Sequence, residues 1–392
     1  MPARASKRLK TSPSIASTTM DTPSKHATHT SWAESRGNQI SGVVPASLPG
    51  RGIGLVATRR IKSGQRIIFV PAKAMLQPDI ALLKKLNLHN ASPQAQLTAS
   101  LMAREGEKDE VYEMARSVWP TWQDFEACML CSDGPDLNSN AYDGVIPPSV
   151  KSPLDRLLKD LRRDVDDIST AFSAADLKAD KQTLLYHWTI ANTRSFHWKP
   201  AGKKQGSMVV CPFLDYTNHC PSGQGEGEEI YATYGAHPND KLLVHYGFVL
   251  PSSSDRPNND DEVRLDHVVL PRLSQAQQDA LRDVGYLGGY GLIPATNEVC
   301  YKTQVAVRSV LLTSNEWEYY IGSGEDLADS KDEEVKRWLI PALEEYLEEA
   351  EHAVAKCQDR KQNAEGATKA KLGLLEMRWV QIQDALKGYL GS

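Results

Sequence analysis

Apolar positions along the chain fall into two kinds of pattern, short Val- and Ile-rich runs and longer stripes at helical spacing, separated by polar stretches. Residues 1 to about 30 show neither and read as a disordered tail. Leu55 to Ala57 and Ile67 to Val70 are short apolar runs joined across Lys62, Ser63, Gly64 and Gln65, a strand–turn–strand signature. From about 78 to 196 the spacing turns helical. Leu82, Leu83 and Leu86 recur at helical steps, as do Leu97, Leu101 and Met102, and Leu154, Leu157, Leu158, Leu161, Val165 and Ile168 form a longer stripe. These helices must break around Trp119-Pro120 and Pro147-Pro148. Strand-like segments return at 208–214 and 229–234. After about 250 the stretch PSSSDRPNNDDE reads as a loop, and a mostly helical region follows. There, Val335, Leu339, Ala342, Tyr346 and Ala350 share one face, with Pro341 near a start or kink. Leu372, Leu375, Trp379, Ile382, Leu386 and Leu390 alternate at three- and four-residue steps, a stripe assigned to the chain's own core.

Composition narrows the class. With 392 residues, 41% hydrophobic and 24% charged, the chain is an ordinary globular protein large enough for two or three domains. A net charge of -5 argues against coating nucleic acid by bulk charge. No run of about 20 apolar residues is present to span a membrane. The basic N-terminus lacks the apolar core of a secretory signal. Its Arg4, Lys7, Arg8 and Lys10 resemble an import patch, but a solvated tail is the better reading. Six scattered cysteines make no disulfide framework and fit a reducing compartment, cytoplasmic or nuclear.

Several motifs fail on context. Gly52-Ile53-Gly54-Leu55-Val56-Ala57 matches a dinucleotide fingerprint, but prolines precede it and a β-turn-β pattern follows. What survives is a glycine pair that permits close backbone approach or a tight turn. Cys128 and Cys131 have knuckle spacing without a second pair, so no metal site is assigned. Five histidines between His187 and His245 accompany no nucleophile elbow. The informative stretch is 209–250. Asp215, Asn218 and His219 follow an apolar strand directly, where polar side chains need partners or a ligand. Tyr234-Gly235 ends the next strand, and Tyr246-Gly247-Phe248 closes an apolar helical run.

In their order, these landmarks resemble a SET-domain protein methyltransferase of the branch typified by Rubisco large-subunit lysine methyltransferase. They are PGRGIGLVATRRIKSGQRIIFVP, ANTRSF (191–196), FLDYTNH (213–219), GEEIYATYG (227–235) and NDKLLVHYGFVL (239–250). The resemblance implies an α+β fold: a SET β-fold of several small sheets over 31–250, with a helical insertion at about 76–190. An all-α substrate-binding domain over 251–392 would follow. It further implies an S-adenosylmethionine-dependent protein-lysine N-methyltransferase, monomeric, acting on a non-histone protein that is ribosomal or translation-associated, without direct nucleic-acid or membrane partners. Tyr234 would then orient the amine or polarise the methyl group. Asn218 and His219 would bind the cofactor, with the backbone of Gly52, Ile53 and Gly54 near its methionine portion and Arg51 and Arg194 near its carboxylate. Tyr246 and Phe248 would wall the adenine and acceptor channel, or serve simply as core, and Asp215 would meet the substrate or support its loop.

The sequence departs from the branch in one place. Only Cys220 to Gly227 separates the Asn-His pair from the GEE strand, roughly fifteen to twenty-five positions fewer than is usual there. A segment missing from the sequence, a tolerated shortening and a decayed enzyme all account for it. Two rivals therefore stand beside the lysine methyltransferase: a catalytically silent SET-derived binding module, and a methyltransferase whose acceptor is histidine.

Overall fold

A computed structural model of the chain describes residues 24–125, 128, 142–202, 205–221, 229–251 and 257–391. The chain begins with helix α1 (Ser24–Ser35), then strands β1 (Gln39–Ile40), β2 (Val43–Leu48), β3 (Gly52–Ala57) and β4 (Ile68–Phe69). The helical insertion follows as α2 (Ile80–Lys85), α3 (Pro93–Met102), α4 (Glu110–Arg116), α5 (Pro148–Ala174) and α6 (Lys181–Arg194). Strands β5 (Ser195–Trp198), β6 (Ser207–Val210), β7 (Asn218–His219) and β8 (Glu229–Ala232) lead to α7 (Asn239–Tyr246). The remainder holds β9 (Val263–Arg264), α8 (Asp266–Val269), α9 (Gln275–Asp283), β10 (Gly291–Ile293), β11 (Glu298–Val299), α10 (Tyr301–Leu311), α11 (Ser314–Ser323), α12 (Asp332–Gln362) and α13 (Gly366–Leu390).

The sheets are small, as a fold with many short polar-bounded runs requires. The central one has the order β2-β3-β8-β7, with β7 and β8 parallel and the other pairs antiparallel. β1 pairs with β4, β5 with β6, and β10 with both β9 and β11. Among the described residues after 250, the regular structure is helical apart from one three-stranded sheet, so this region is not all-α. Among the described residues no helix is long and apolar enough to cross a membrane.

The long stripes bury as their periodicity demands. Leu154, Leu158 and Leu161 of α5, Leu339 and Leu343 of α12, and Leu375, Trp379 and Ile382 of α13 belong to one continuous core. That core runs from the insertion into the C-terminal region, and Trp379 Nε1 donates to the Val145 carbonyl at 2.7 Å across the join. A proline starts α5 because a helix can accept a missing N–H in its first turn. Asp180 caps α6 by accepting from the Gln182 and Thr183 amides, fixing the helix that ends at Arg194.

Three expectations change. The disordered tail cannot reach residue 30, because α1 starts at Ser24 and buries His26, His29, Trp32 and Ala33. Histidines stand where apolar residues would have announced the helix. Leu55–Ala57 and Ile67–Val70 do not form a hairpin with each other. β3 pairs instead with β2, in the register Val43↔Ala57 to Leu48↔Gly52, and β4 pairs with β1. Strand β2 contains Pro45, which an edge strand tolerates. Finally, of the two readings of Pro341, a start or a kink, the start is excluded, because Pro341 lies inside α12, nine residues beyond its first, Asp332. Cys131, residues 1–23 and most of the shortened connection, 222–228, lie outside the described residues.

Candidate active site

β7 and β8 place Asn218 opposite Tyr231 and His219 opposite Ala232. Two residues beyond β8, the Tyr234 amide donates to His219 Nδ1 at 3.1 Å. That nitrogen therefore carries a lone pair, so the neutral ring bears its proton on Nε2. Burial lowers the His219 pKa first, with His237 adding repulsion. The Tyr234 hydroxyl donates to the Thr217 carbonyl at 2.8 Å. Burial pushes the phenol up to about 12, with Arg194 pulling the other way. Tyr234 is consequently a hydrogen-bond donor at neutral pH and not a base.

Aromatic rings close around this phenol. His219 stacks on Tyr234 with centroids 5.0 Å apart, and Tyr246 lies 5.1 Å from Tyr234. Phe248 sits 6.2 Å from Tyr246 and 6.3 Å from His219. Gly247 between them ends α7 in the left-handed region at φ 77°, turning the chain so that both flanking rings reach the same cluster.

On the other side of Asn218 lies β3. A Cβ on Gly54 would fall 2.4 Å from Leu48 Cδ1 and 2.8 Å from Asn218 Nδ2, so only glycine lets β3 approach the Asn218 amide. Gly52, exposed and at φ 70°, has open space where its side chain would be, and Ile53 is half-buried between them. Asn218 Nδ2 donates to Glu229 Oε1 at 3.0 Å. Arg51 pairs with the Glu229 carboxylate and with the Tyr231 hydroxyl, so its guanidinium is engaged by the protein itself.

Arg194, the last residue of α6, donates from Nη1 to the Asp215 carbonyl at 3.1 Å and lies 3.8 Å from Asp215 Oδ2. Burial raises the Asp215 carboxyl to about 6 against the opposing pull of Arg194. Among the described residues, Asp215 Oδ1, Arg194 Nε and His219 Nε2 are buried without a hydrogen-bond partner. Three such atoms around one phenol suit a polar ligand that supplies the missing partners. Two surface clefts, of about 480 and 590 Å³, are lined by other residues, including Trp119 and Tyr186 in one and Leu374 and Met377 in the other.

The structure thus gathers Tyr234, His219, Tyr246 and Phe248 in one cluster, with Asn218, Gly54 and Arg51 joined around Glu229 and with Arg194 and Asp215 paired close enough to act on the Tyr234 phenol. Thr217 and Glu229 were not singled out from the sequence. The carbonyl of Thr217 leaves no residue-type signature, while Glu229 stood in plain view as an acidic residue heading an apolar run.

No protein-family model matches the chain. It is 27% identical over 212 residues to ribosomal lysine N-methyltransferase set11 of Schizosaccharomyces pombe, covering 46% of this chain and 53% of that protein. It is 24% identical over 258 residues to human SET domain-containing protein 4, covering 56% and 57%. With mouse N-lysine methyltransferase SETD6 it shares 23% over 263 residues, covering 59% and 54%. The chain spans about half the length of the curated relatives it matches. Its fold matches the crystal structure of the SET domain of LSMT bound to lysine and AdoHcy, with a TM-score of 0.61 at 15% identity, over 93% of this chain and 92% of that one. On these comparisons, the chain has the fold of a SET domain and is similar in sequence to lysine N-methyltransferases.

Proposed function

We propose that the chain is an S-adenosylmethionine-dependent protein-lysine N-methyltransferase whose substrate is a non-histone protein of the ribosome or translation apparatus. The observation that carries the reading is the phenol of Tyr234. It is held protonated against the Thr217 carbonyl, directly beside Asn218 and His219 and inside an aromatic wall. When bound, S-adenosylmethionine supplies a sulfonium-activated methyl group. Asn218, His219 and Arg194 would hold it, and the orphaned Arg194 Nε and His219 Nε2 offer donors for its polar groups.

The remaining work belongs to the chain's own residues. An amine acceptor must lose its proton, and burial among Tyr234, Tyr246 and Phe248 favours the neutral form. Tyr234 fixes the amine by accepting one of its N–H groups at the phenol oxygen, because the phenol's own proton is given to the Thr217 carbonyl and the amine lone pair stays free. Holding donor and acceptor in line while excluding water then supplies most of the rate enhancement. Two similarities support the acceptor and substrate class: the ribosomal lysine methyltransferase among the relatives and the lysine-bound structural neighbour. The free thiols of Cys211, Cys300 and Cys357 support action in the reducing cytoplasm or nucleus.

One observation favours the silent binding module instead. Residues 220–228 alone link β7 to β8, whereas parallel neighbours ordinarily need a connection of a dozen or more residues. Labelled methyl transfer to a ribosomal protein fraction, followed by residue typing of the product, separates the readings. Methyl-lysine is the expected outcome. Methyl-histidine would move the acceptor, and no label from a cofactor-binding chain would favour the module.

A further inference from the structure

Glu229 opens β8 and is buried, yet it is a carboxylate inside a small sheet. Every oxygen of it is engaged. Oε1 accepts from Asn218 Nδ2 at 3.0 Å, and Oε2 accepts from the Tyr231 hydroxyl at 2.6 Å and faces Arg51. Tyr231 stands two residues along the same strand and so on the same face, and it also accepts from Arg51. One carboxylate therefore ties together the turn before β3, β7 and β8, on the face where Gly54 leaves room. A Cβ there would come within 3.1 Å of Glu229 Oε1.

This arrangement does more than bind strands together. A primary amide presents either its NH2 or its oxygen, and the two differ by a flip. An ionised carboxylate only accepts, so Glu229 forces Nδ2 of Asn218 towards itself and leaves Oδ1 facing away. Burying such a charge is poor value for stability compared with an apolar residue of similar size, whereas it does fix orientation. We propose that Glu229 is a positioning residue for the cofactor: it sets the flip state of the Asn218 amide, and Arg51 and Tyr231 hold its carboxylate in place to do so. The inference rests on the methyltransferase reading above.

The test is calorimetric titration of S-adenosylhomocysteine into the full chain and into Glu229→Gln, Asn218→Ala and the double variant. Glutamine keeps the shape but offers a donor as well as an acceptor, which frees the amide to flip and breaks the pair with Arg51. Loss of one charge-assisted contact predicts about tenfold weaker binding for each single variant. The double variant should bind no more weakly than Asn218→Ala alone, because Glu229 acts through that amide. A purely structural role would lower thermal stability without this coupling. Wild-type affinity in Glu229→Gln, or single losses that multiply in the double variant, overturns the proposal. Should Glu229→Gln fail to fold, Tyr231→Phe and the half-exposed Arg51→Gln decide: weakened binding by both supports the proposal, and unchanged binding overturns it. A wild-type chain that binds no S-adenosylhomocysteine instead sinks the methyltransferase reading, and the inference falls with it.

Discussion

The hydroxyl of Tyr234 rests 2.8 Å from the carbonyl of Thr217, so the strand carrying Asn218 and His219 sets the position of the phenol through its own backbone. Because that carbonyl can only accept, the Tyr234 proton points along a defined direction. The same backbone stretch fixes the neighbouring polar groups, and the phenol and the Asn-His pair therefore move as one unit.

Removing the hydroxyl tests that unit. Tyr234→Phe keeps the stacking on His219 and Tyr246 and deletes one hydrogen bond. Stability should change by only about 1 kcal/mol. Methyl transfer should fall roughly a hundredfold, the usual loss on deleting a donor fixed at a reacting centre. A rate measured with saturating cofactor checks this, and an undiminished rate would remove Tyr234 from the chemistry.

Asp215 gives a pH signature. Its carboxyl titrates near 6 in the fold against 3.8 in an unfolded chain, because burial disfavours the charge. Between those values the folded state binds the extra proton, so its stability falls as pH rises through the window and then levels off. Asp215→Asn should therefore stabilise the chain near neutral pH by up to about 3 kcal/mol and have little effect below about pH 4. Thermal melts of both proteins across that range provide the check.

His29 predicts the opposite slope. It is fully buried in α1, its Nδ1 lies 3.4 Å from the Tyr216 hydroxyl, and burial with repulsion from His26 lowers it to about 4. Here the unfolded chain takes the proton first, so stability present above about 6.5 is lost as pH falls towards about 4. His29→Phe should flatten that acid limb while Asp215→Asn steepens it. Melting curves of the two single variants, run side by side, separate contributions that oppose each other in the parent protein.

Arg378 joins the C-terminal region to the aromatic wall. Its fully buried guanidinium donates to Asp240 at 2.6 Å and Asp261 at 2.7 Å, and Asp240 belongs to α7, the helix that ends at Tyr246. Arg378→Met would strand two buried carboxylates at a cost of about 3–5 kcal/mol. Adding Asp240→Asn and Asp261→Asn should restore most of it. Denaturant midpoints of the single and triple variants measure both statements, and a single variant as stable as the parent contradicts them.

How far the sequence could be read followed from which residues fill the core. Leu154 to Ile168, Val335 to Ala350 and Leu372 to Leu386 bury apolar stripes, and their helices were legible from spacing alone. α1 was not, because His26 and His29 occupy its inner face and meet Tyr216 by hydrogen bonding rather than by hydrophobic contact. β2 was obscured by Pro45, and its pairing with β3 depends on edge position, which a single sequence does not display. The landmarks of the site were visible as residue types: Tyr234, Asn218, His219, Tyr246. The contacts that orient them were not, since one is a backbone carbonyl and another is Glu229, whose meaning appears only when three strands meet.

Methyl transfer by this chain requires that Asn218, His219 and Tyr234 bound a cofactor pocket. Equilibrium titration of the wild-type chain and of Asn218→Ala with S-adenosylmethionine addresses this most directly. One molecule bound per wild-type chain, with affinity sharply reduced in Asn218→Ala, is the predicted result. No binding by the folded wild-type protein, or equal binding by the variant, would contradict it.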